Sequence, residues 1–205
     1  MRGCRPVFAM VLFFVLGVAL AAEPEVGRVA RIQGSATADH GAEKRDLALD
    51  AQVHEGDLVR TAAGARLQIR FSDGMEITLG ENSQLRIDRF LYDPKAREGA
   101  AGLNLGGSFR VLTGAVGKLA PDKVRLSTPV ADLGLRGTEF WGGPIEGLLD
   151  VIVLSGRVQV TTPGGRVILE AGKGTVIRAR DRPPAPPYVW SEAKIKRAVA
   201  SVAFD

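Results

Sequence analysis

Two short apolar runs on either side of a glycine turn constrain this chain more than any other feature. Arg66–Phe71 and residues 75–79 each place an apolar side chain at every second position, which is the period of a half-buried β-strand. A two-residue loop would set apolar side chains opposite polar ones, whereas a three-residue loop at 72–74 aligns the two apolar faces. The aligned pairs are Phe71 with Met75, Ile69 with Ile77 and Leu67 with Leu79. The pattern therefore predicts a three-residue hairpin in which Gly74 takes a left-handed backbone conformation.

Short strands and turns continue along the rest of the chain. The 205 residues include 25 glycines and few aromatic side chains, which suits tight turns better than a helical bundle. The sequence LTGAV at 112–116 returns as LSGRV at 154–158, which suggests that similar structural units recur. Two charged stretches, 39–46 and 92–102, are predicted loops. We predict an all-β fold of many short strands, arranged as a β-solenoid or as a two-layer β-sandwich-like meander.

The first 22 residues have the pattern of a signal peptide. Arg2 and Arg5 precede an uninterrupted apolar run at 7–20, and residues 19–21 supply the small side chains around a cleavage site. This run is shorter than the about 20 residues that a membrane-spanning helix needs. We therefore expect cleavage and a periplasmic or secreted location. The alternative is an uncleaved segment that anchors the protein in the membrane.

Cysteine content and charge exclude a disulfide-stabilised fold and a nucleic-acid-binding protein. Cys4 lies ahead of the apolar run, so the cleaved protein would have no cysteine and its fold would depend on the core alone. Without Arg2 and Arg5 there are 25 basic and 23 acidic residues, and no cluster of Lys or Arg stands out. Nucleic-acid binding needs a basic patch with stacking aromatic side chains, and the sequence predicts neither.

The sequence contains no recognisable catalytic or cofactor motif. Nucleophile elbow, metal-ligand spacing, Walker loop and paired carboxylates are all missing. His40 and His54 lack further ligands at metal-binding spacing, so both are expected to face solvent. The Gly172-Lys-Gly174 sequence has no helix pattern after it and predicts a β-turn. We predict a non-enzymatic protein without metal or other cofactor; an envelope hydrolase is the less favoured alternative.

Residues 127–140 combine apolar positions with a single arginine. Arg136 stands between Leu135 and Gly137, where alternation along a strand puts neighbouring side chains on opposite faces. It is either a solvated strand residue beside an ordinary bulge, or an inward charge that requires an acidic partner. Asp57 is the candidate partner. Its own alternative role is to bond nearby backbone amides in an Asx-type turn.

The C-terminal part begins with RPPAPP at 182–187, which predicts a stiff, extended linker and the best domain boundary in the chain. Beyond it, Ser191 is placed to cap a short helix. The apolar face of that helix would contain Ile195, Ala198, Val199 and Val202, and the opposite face Lys194, Lys196 and Arg197. We expect this tail to pack back on the sheet; docking to a membrane surface or a partner is the alternative. The predicted organisation is a signal peptide at 1–22, a β domain at 23–181, and a linker and tail at 182–205.

Five groups of short motifs, in a fixed order, make the chain resemble FecR-domain proteins. They are EGDLVRT (55–61), FSDGMEITL (71–79), LTGAV (112–116), STPVA with LRGTEF (127–131 and 135–140) and VLSGRV (153–158). Each motif is short, but their order across residues 26–177 makes the combination specific. In that family the all-β domain is the periplasmic sensing half of a regulator of iron-uptake signalling. It contacts the signalling domain of an outer-membrane transporter, and a transmembrane helix joins it to a cytoplasmic anti-sigma segment.

The predicted signal peptide departs from that layout, so the resemblance implies the fold and protein binding rather than direct sigma-factor regulation. It favours a structural Arg136–Asp57 pair over a solvated Arg136. The residues that the motifs mark as structural or partner-contacting are Gly56, Asp57, Thr61, Asp73, Gly74, Arg136, Gly137, Thr138 and Gly156.

The resulting expectation is an exported, non-catalytic FecR-like domain in cell-envelope signalling. Its partner would be another envelope protein, such as a transporter signalling domain, or an envelope polymer. The alternative is a membrane-anchored component of iron-uptake or sigma-factor signalling, held by an uncleaved N-terminal segment.

Overall fold

A computed structural model describes residues 24–205. The predicted signal peptide at 1–22, including Cys4, lies outside the described residues. No helix within 24–205 has both the length and the apolar character that crossing a membrane requires. The first strands are β1 (Glu25–Gln33), β2 (Ala36–His40), β3 (Glu43–Asp46), β4 (Gln52–His54), β5 (Leu58–Thr61), β6 (Arg66–Phe71), β7 (Glu76–Leu79), β8 (Gln84–Asp93), β9 (Glu98–Gly106) and β10 (Phe109–Leu112).

The remaining elements begin with a short helix that leads into the second half of the sheet. They are α1 (Val116–Leu119), a 3-10 helix (Pro121–Lys123), β11 (Val124–Ser127), β12 (Asp132–Gly143), β13 (Leu149–Thr162), β14 (Gly165–Glu170), β15 (Lys173–Ile177), β16 (Tyr188–Val189) and α2 (Glu192–Ala200). Of the β-turn predicted at 172–174, only Gly172 lies in a turn, with a φ of +79°; Lys173 and Gly174 begin β15.

The described strands join one hydrogen-bonded network that curls around the main core. Their order is β3-β2-β5-β8-β9-β11-β12-β10-β7-β6-β1-β4, and β13 connects β12 to β14 and β15. Neighbouring strands are antiparallel except β9 and β11. This pairing fits the predicted meander better than the parallel coils of a β-solenoid. The all-β prediction is confirmed.

The predicted hairpin is present with the predicted register. Leu67 pairs with Leu79 and Ile69 with Ile77 across β6 and β7, and the Phe71 amide donates to the Met75 carbonyl at 2.9 Å. All of these apolar side chains are buried, because the three-residue loop keeps both inward faces in phase.

Gly74 adopts the left-handed backbone conformation that this loop requires. Its φ is +83°, and a Cβ built on it would meet nothing within 4 Å, so the cost of a side chain is purely one of backbone conformation. Gly74→Val is expected to lower the free energy of unfolding by about 1–2 kcal/mol. Urea denaturation measures the change, and Gly74→Asn, which tolerates the left-handed region better, should lose less. Equal melting temperatures for wild type and Gly74→Val would contradict this conformation.

Both stretches predicted as loops are hairpins, which corrects the sequence prediction. Residues 39–46 contain the end of β2 and all of β3, and residues 92–102 contain the end of β8 and much of β9. The strand β3 buries none of its residues because it lies at the end of the strand order. Its polar sequence therefore lacks the alternation that identifies a half-buried strand.

The C-terminal tail packs back on the sheet, as expected. The Ala185 amide donates to the Val176 carbonyl at 3.0 Å, and β16 pairs with β15. Ser191 caps α2 by accepting from the Lys194 amide. A second apolar cluster joins the tail to β12 and β13 through Trp141, Ile152, Trp190, Ala198 and Val202. The RPPAPP segment thus runs along the sheet; the division of the chain at residue 182 stays a prediction.

Two residues of α2 contradict the predicted helix faces, since Val199, predicted on the apolar face, is 51% exposed. Lys194 is buried instead of facing solvent beside Lys196 and Arg197. Its ammonium lies 2.7 Å from Asp150 Oδ1 and 2.8 Å from Glu146 Oε2. The helix therefore carries an internal ion pair within an otherwise apolar contact surface.

Candidate functional site

Asp57 forms the centre of a buried polar cluster at the turn between β4 and β5. Its side chain is fully buried, and Arg45 binds both carboxylate oxygens, with Nη1 3.1 Å from Oδ1. The His54 amide donates to Oδ2 at 2.9 Å, and His40 Nδ1 lies 3.0 Å from Oδ1. The carboxylate thus joins β2, β3 and the β4–β5 turn.

The predicted Arg136–Asp57 pair is wrong, because Arg45 is the cationic partner and Arg136 is exposed. The solvent-facing positions predicted for His40 and His54 hold only in part, since both contact Asp57 while 31% and 22% of their side-chain surface stays exposed. The sequence did not predict Arg45 as the partner of Asp57 because the strand that carries Arg45 is polar throughout. Once β2 and β3 are taken as a hairpin, Arg45 faces inward toward this corner.

The contacts in the Asp57 cluster stabilise the ionised form of the Asp57 carboxylate. Burial alone would raise the pKa of Asp57, but hydrogen bonds from Arg45, the His54 amide and His40 outweigh it and hold the pKa below its ordinary value. Within residues 24–205 no group of three or more His, Cys, Asp or Glu side chains is arranged to hold a metal ion. The cluster therefore acts as a structural ion pair.

Gly56 and Thr61 also have structural positions. Gly56 has a φ of +90°, and a Cβ on it would crowd the His40 ring at 2.9 Å. The Thr61 hydroxyl donates to the Gly80 carbonyl at 2.6 Å and accepts from the Ser83 amide at 3.0 Å. Gly56 shapes the exposed turn before β5, whereas Thr61 is buried and ties the end of β5 to the turn at 80–83.

Asp73 connects the β6–β7 hairpin to the LTGAV motif. One carboxylate oxygen accepts from the Met75 amide at 2.8 Å, and the other accepts from the Val116 amide at 3.0 Å. Gly114 packs so closely that a Cβ on it would overlap the Asp73 carboxylate and the Met75 amide. Two motifs far apart in sequence therefore form one structural junction.

Gly137, Thr138 and Gly156 form a bulge where the register of β12 and β13 shifts. Both glycines have positive φ, +58° and +78°, and a Cβ on Gly156 would overlap the Gly137 carbonyl. Thr113 clamps the bulge, because its hydroxyl accepts from the Thr138 amide at 2.9 Å and donates to the Thr138 carbonyl at 3.1 Å. The bulge fixes the backbone that carries Arg136.

β11 and β12 separate beside this bulge and leave a cavity of about 350 Å³ on the solvent-facing side of the sheet. Their pairing includes Ser127↔Asp132 and Leu126↔Leu133, and the described ladder stops there. We call this cavity the arginine groove, defined by Val124, Gly134, Leu135, Arg136, Arg157 and Ile168. Val124 and Leu135 are buried and form an apolar floor, and Asp122 stands in the wall contributed by the 3-10 helix.

Two arginines lie side by side at the arginine groove, and their positive charges repel each other. Arg136 lies directly opposite Arg157 on neighbouring strands, an arrangement in which like charges destabilise a sheet. Arg157 donates to Glu170 at 3.0 Å, but both side chains are more than half exposed, so this ion pair is weak. Within the described part of the chain Arg136 makes no ion pair or side-chain hydrogen bond.

Further arginines extend the positive charge beyond the arginine groove. Those exposed on the same side of the sheet are Arg86, Arg89, Arg125 and Arg166. Of the nearby carboxylates, Asp132 accepts from the Ser127 hydroxyl at 2.8 Å and Glu170 binds Arg157. The absence of a basic cluster in the sequence was misleading, because the sheet brings together arginines that are far apart along the chain. Such a surface attracts anionic groups.

Among the motif residues, only Arg136 thus combines exposure with an unsatisfied charge. Sequence analysis missed its neighbours Gly134, Arg157 and Ile168. Arg157 directly follows the marked Gly156, so the LSGRV motif contained the signal. Its meaning depends on the pairing of β12 with β13, which no local pattern shows.

The comparisons with known proteins agree with this fold. The model of the FecR protein family matches residues 57–159. Two crystal structures, at 1.65 and 2.50 Å, of a Parabacteroides distasonis protein proposed to be an anti-sigma factor share the fold, with a TM-score of 0.54 and 15% sequence identity. The match covers 68% of this chain and 62% of that protein's length, and at this identity it concerns the fold alone. No curated protein matches this chain.

Proposed function

Because the chain belongs to the FecR protein family, whose model matches about half of it, we propose that it is an exported, non-catalytic domain of cell-envelope signalling. It binds another envelope protein through the arginine groove. Export is inferred from the signal-peptide pattern of residues 1–22. The proposed anti-sigma assignment of the P. distasonis protein that shares the fold supports a role in signalling.

The observation that carries this proposal is the juxtaposition of Arg136 and Arg157. Like charges at opposite strand positions weaken a sheet, and within residues 24–205 Arg136 makes no ion pair, although Asp122 also lines the groove. A residue that lowers stability and makes no compensating contact within the fold is typical of a binding surface. The motif residues around it supply rigidity, since the Gly137–Gly156 bulge fixes the strand on which Arg136 lies.

Gly134 offers a direct test, because it faces the arginine groove and carries no side chain. A Cβ on Gly134 would meet only the Gln159 Cβ within 4 Å, at an ordinary 3.7 Å, so the strand accepts a side chain there and a leucine would occupy the groove. The tagged full chain, expressed in its native host, is cross-linked and recovered from envelope extracts. We expect Gly134→Leu to reduce recovery of a specific envelope protein about tenfold, because the partner can no longer reach the groove.

Gly102→Leu is the matched control. This glycine lies on the same side of the sheet in β9, and a Cβ on it would likewise meet its nearest atom, the Arg89 Cβ, at 3.7 Å. It should retain the wild-type partner, and both variants should melt like wild type. Failure of the wild type to recover any specific protein would overturn the proposed function. Equal recovery with Gly134→Leu would place the contact elsewhere.

A further inference from the structure

We propose that the arginine groove recognises an extended acidic segment of the partner protein, with one aliphatic side chain on the groove floor and flanking carboxylates on Arg136 and Arg157. The inference rests on the proposed function and names the chemistry of the partner. Three features of the groove carry it: an apolar floor, two guanidinium groups and a stretch of β12 without a paired strand on one side.

The floor selects an aliphatic anchor. Val124 and Leu135 are buried at the base of the groove, and Ile168 stands at its rim with half of its side-chain surface exposed. A volume of about 350 Å³ accommodates an anchoring side chain with its neighbours, and not a folded domain. An aliphatic side chain there would cover Ile168 and remove apolar surface from water.

The rim of the groove favours a few carboxylates over a dense array of negative charges. Guanidinium groups bind carboxylates through two parallel hydrogen bonds, and Arg136 has its donors available for such a bond. Arg157 exchanges Glu170 for the ligand at little cost, since that pair is exposed to water. Asp122 in the wall repels a second layer of negative charge, which disfavours densely charged polymers such as polyphosphate.

The backbone favours an extended segment. The ladder between β11 and β12 stops after Leu126↔Leu133, so Gly134 and Leu135 have no paired strand on the β11 side in the described pairing. Gly134 leaves the approach to this backbone open because it has no side chain. In an extended peptide, side chains two positions apart lie on the same side, so an acidic residue two positions from the aliphatic anchor reaches the rim.

Fluorescence anisotropy with the purified full chain tests this chemistry. The probe is a labelled peptide of repeated Glu-Leu-Ser units, and the comparison probes replace every Glu by Gln or every Leu by Ser. We expect the Glu-Leu-Ser peptide to bind about tenfold more tightly than either comparison peptide, and about 0.5 M NaCl to weaken it strongly. Arg136→Gln should reduce the affinity about tenfold, Gly134→Leu should abolish binding, and Gly102→Leu should bind like wild type.

The possible outcomes separate this inference from the proposed function. Equal binding of the Glu and Gln peptides, or tighter binding of inorganic polyphosphate than of the peptide, would overturn the acidic-segment inference. If an envelope protein is recovered in a Gly134-dependent way while the Glu-Leu-Ser peptide fails to bind, the inference fails and the proposed function stands. If the extracts yield no specific envelope protein, the proposed function fails, and the inference that rests on it fails too.

Discussion

Asp57→Ala is expected to lower the free energy of unfolding by about 3 kcal/mol. Breaking one side of a buried ion pair costs about 3–5 kcal/mol, and the lower end applies because the Arg45 side chain keeps partial contact with water. The His54 amide loses its acceptor at the same time. Urea denaturation at neutral pH measures the change. Asp46→Ala, which removes an exposed carboxylate from the same hairpin, should stay within about 0.5 kcal/mol of wild type.

The same carboxylate determines how stability depends on acid. Its folded pKa lies below the ordinary value of 3.8, so its contribution is fully present above that value and is lost as pH falls through the folded pKa. The stability difference between wild type and Asp57→Ala should therefore be constant near neutral pH and shrink below about pH 4. A difference that persists unchanged at low pH would show that the charge of Asp57 is not what stabilises this corner.

Local patterns predicted well wherever one strand face is buried. The β6–β7 register follows from the positions of Ile69 and Ile77 alone, because shifting one strand by a residue would turn its apolar face to water. The start of α2 was also predictable from its Ser191 cap, although the apolar spacing did not show that Lys194 is buried and Val199 exposed. These signals are short-range, and the fold agrees with them.

Predictions failed where a charge finds its partner across the fold. Asp57 binds Arg45, which lies on the polar strand β3 where no alternation marks an inward position. Arg136, which shares the motif order with Asp57, instead faces Arg157 across a strand pair. Motif order therefore placed both residues in one family pattern, but it did not identify which residues touch.

The arginine groove was unpredictable for a related reason. It exists because two strands separate after a short ladder, and because Gly134 leaves space at that point. Sequence alone shows neither the separation nor the side of the sheet on which a glycine lies. Arginines between residues 86 and 166 become neighbours only when the strands are placed in order.

Lys194 shows how the tail combines apolar packing with a specific polar contact. Asp150 is fully buried, and its Oδ2 accepts from the amides of Ile145, Glu146 and Gly147 at 3.0–3.1 Å. Its Oδ1 binds the Lys194 ammonium, which also donates to the Tyr188 hydroxyl at 2.8 Å. The turn before β13 thus presents a rigid carboxylate to α2. An apolar helix face alone would not fix the helix at one position.

Lys194→Met should lower the free energy of unfolding by about 3–5 kcal/mol, because the variant leaves the buried Asp150 charge without its cation. Burial alone would lower the pKa of Lys194, but the hydrogen bonds that its ammonium donates to Asp150, Glu146 and Tyr188 hold the pKa above its ordinary value of 10.5. This contribution therefore persists throughout the neutral range and disappears only in strong alkali. Urea denaturation measures the loss, and faster amide exchange in α2 locates it. Lys196→Met, on the exposed side of the helix, should behave like wild type. Equal stability of the two variants would show that apolar packing alone holds the tail.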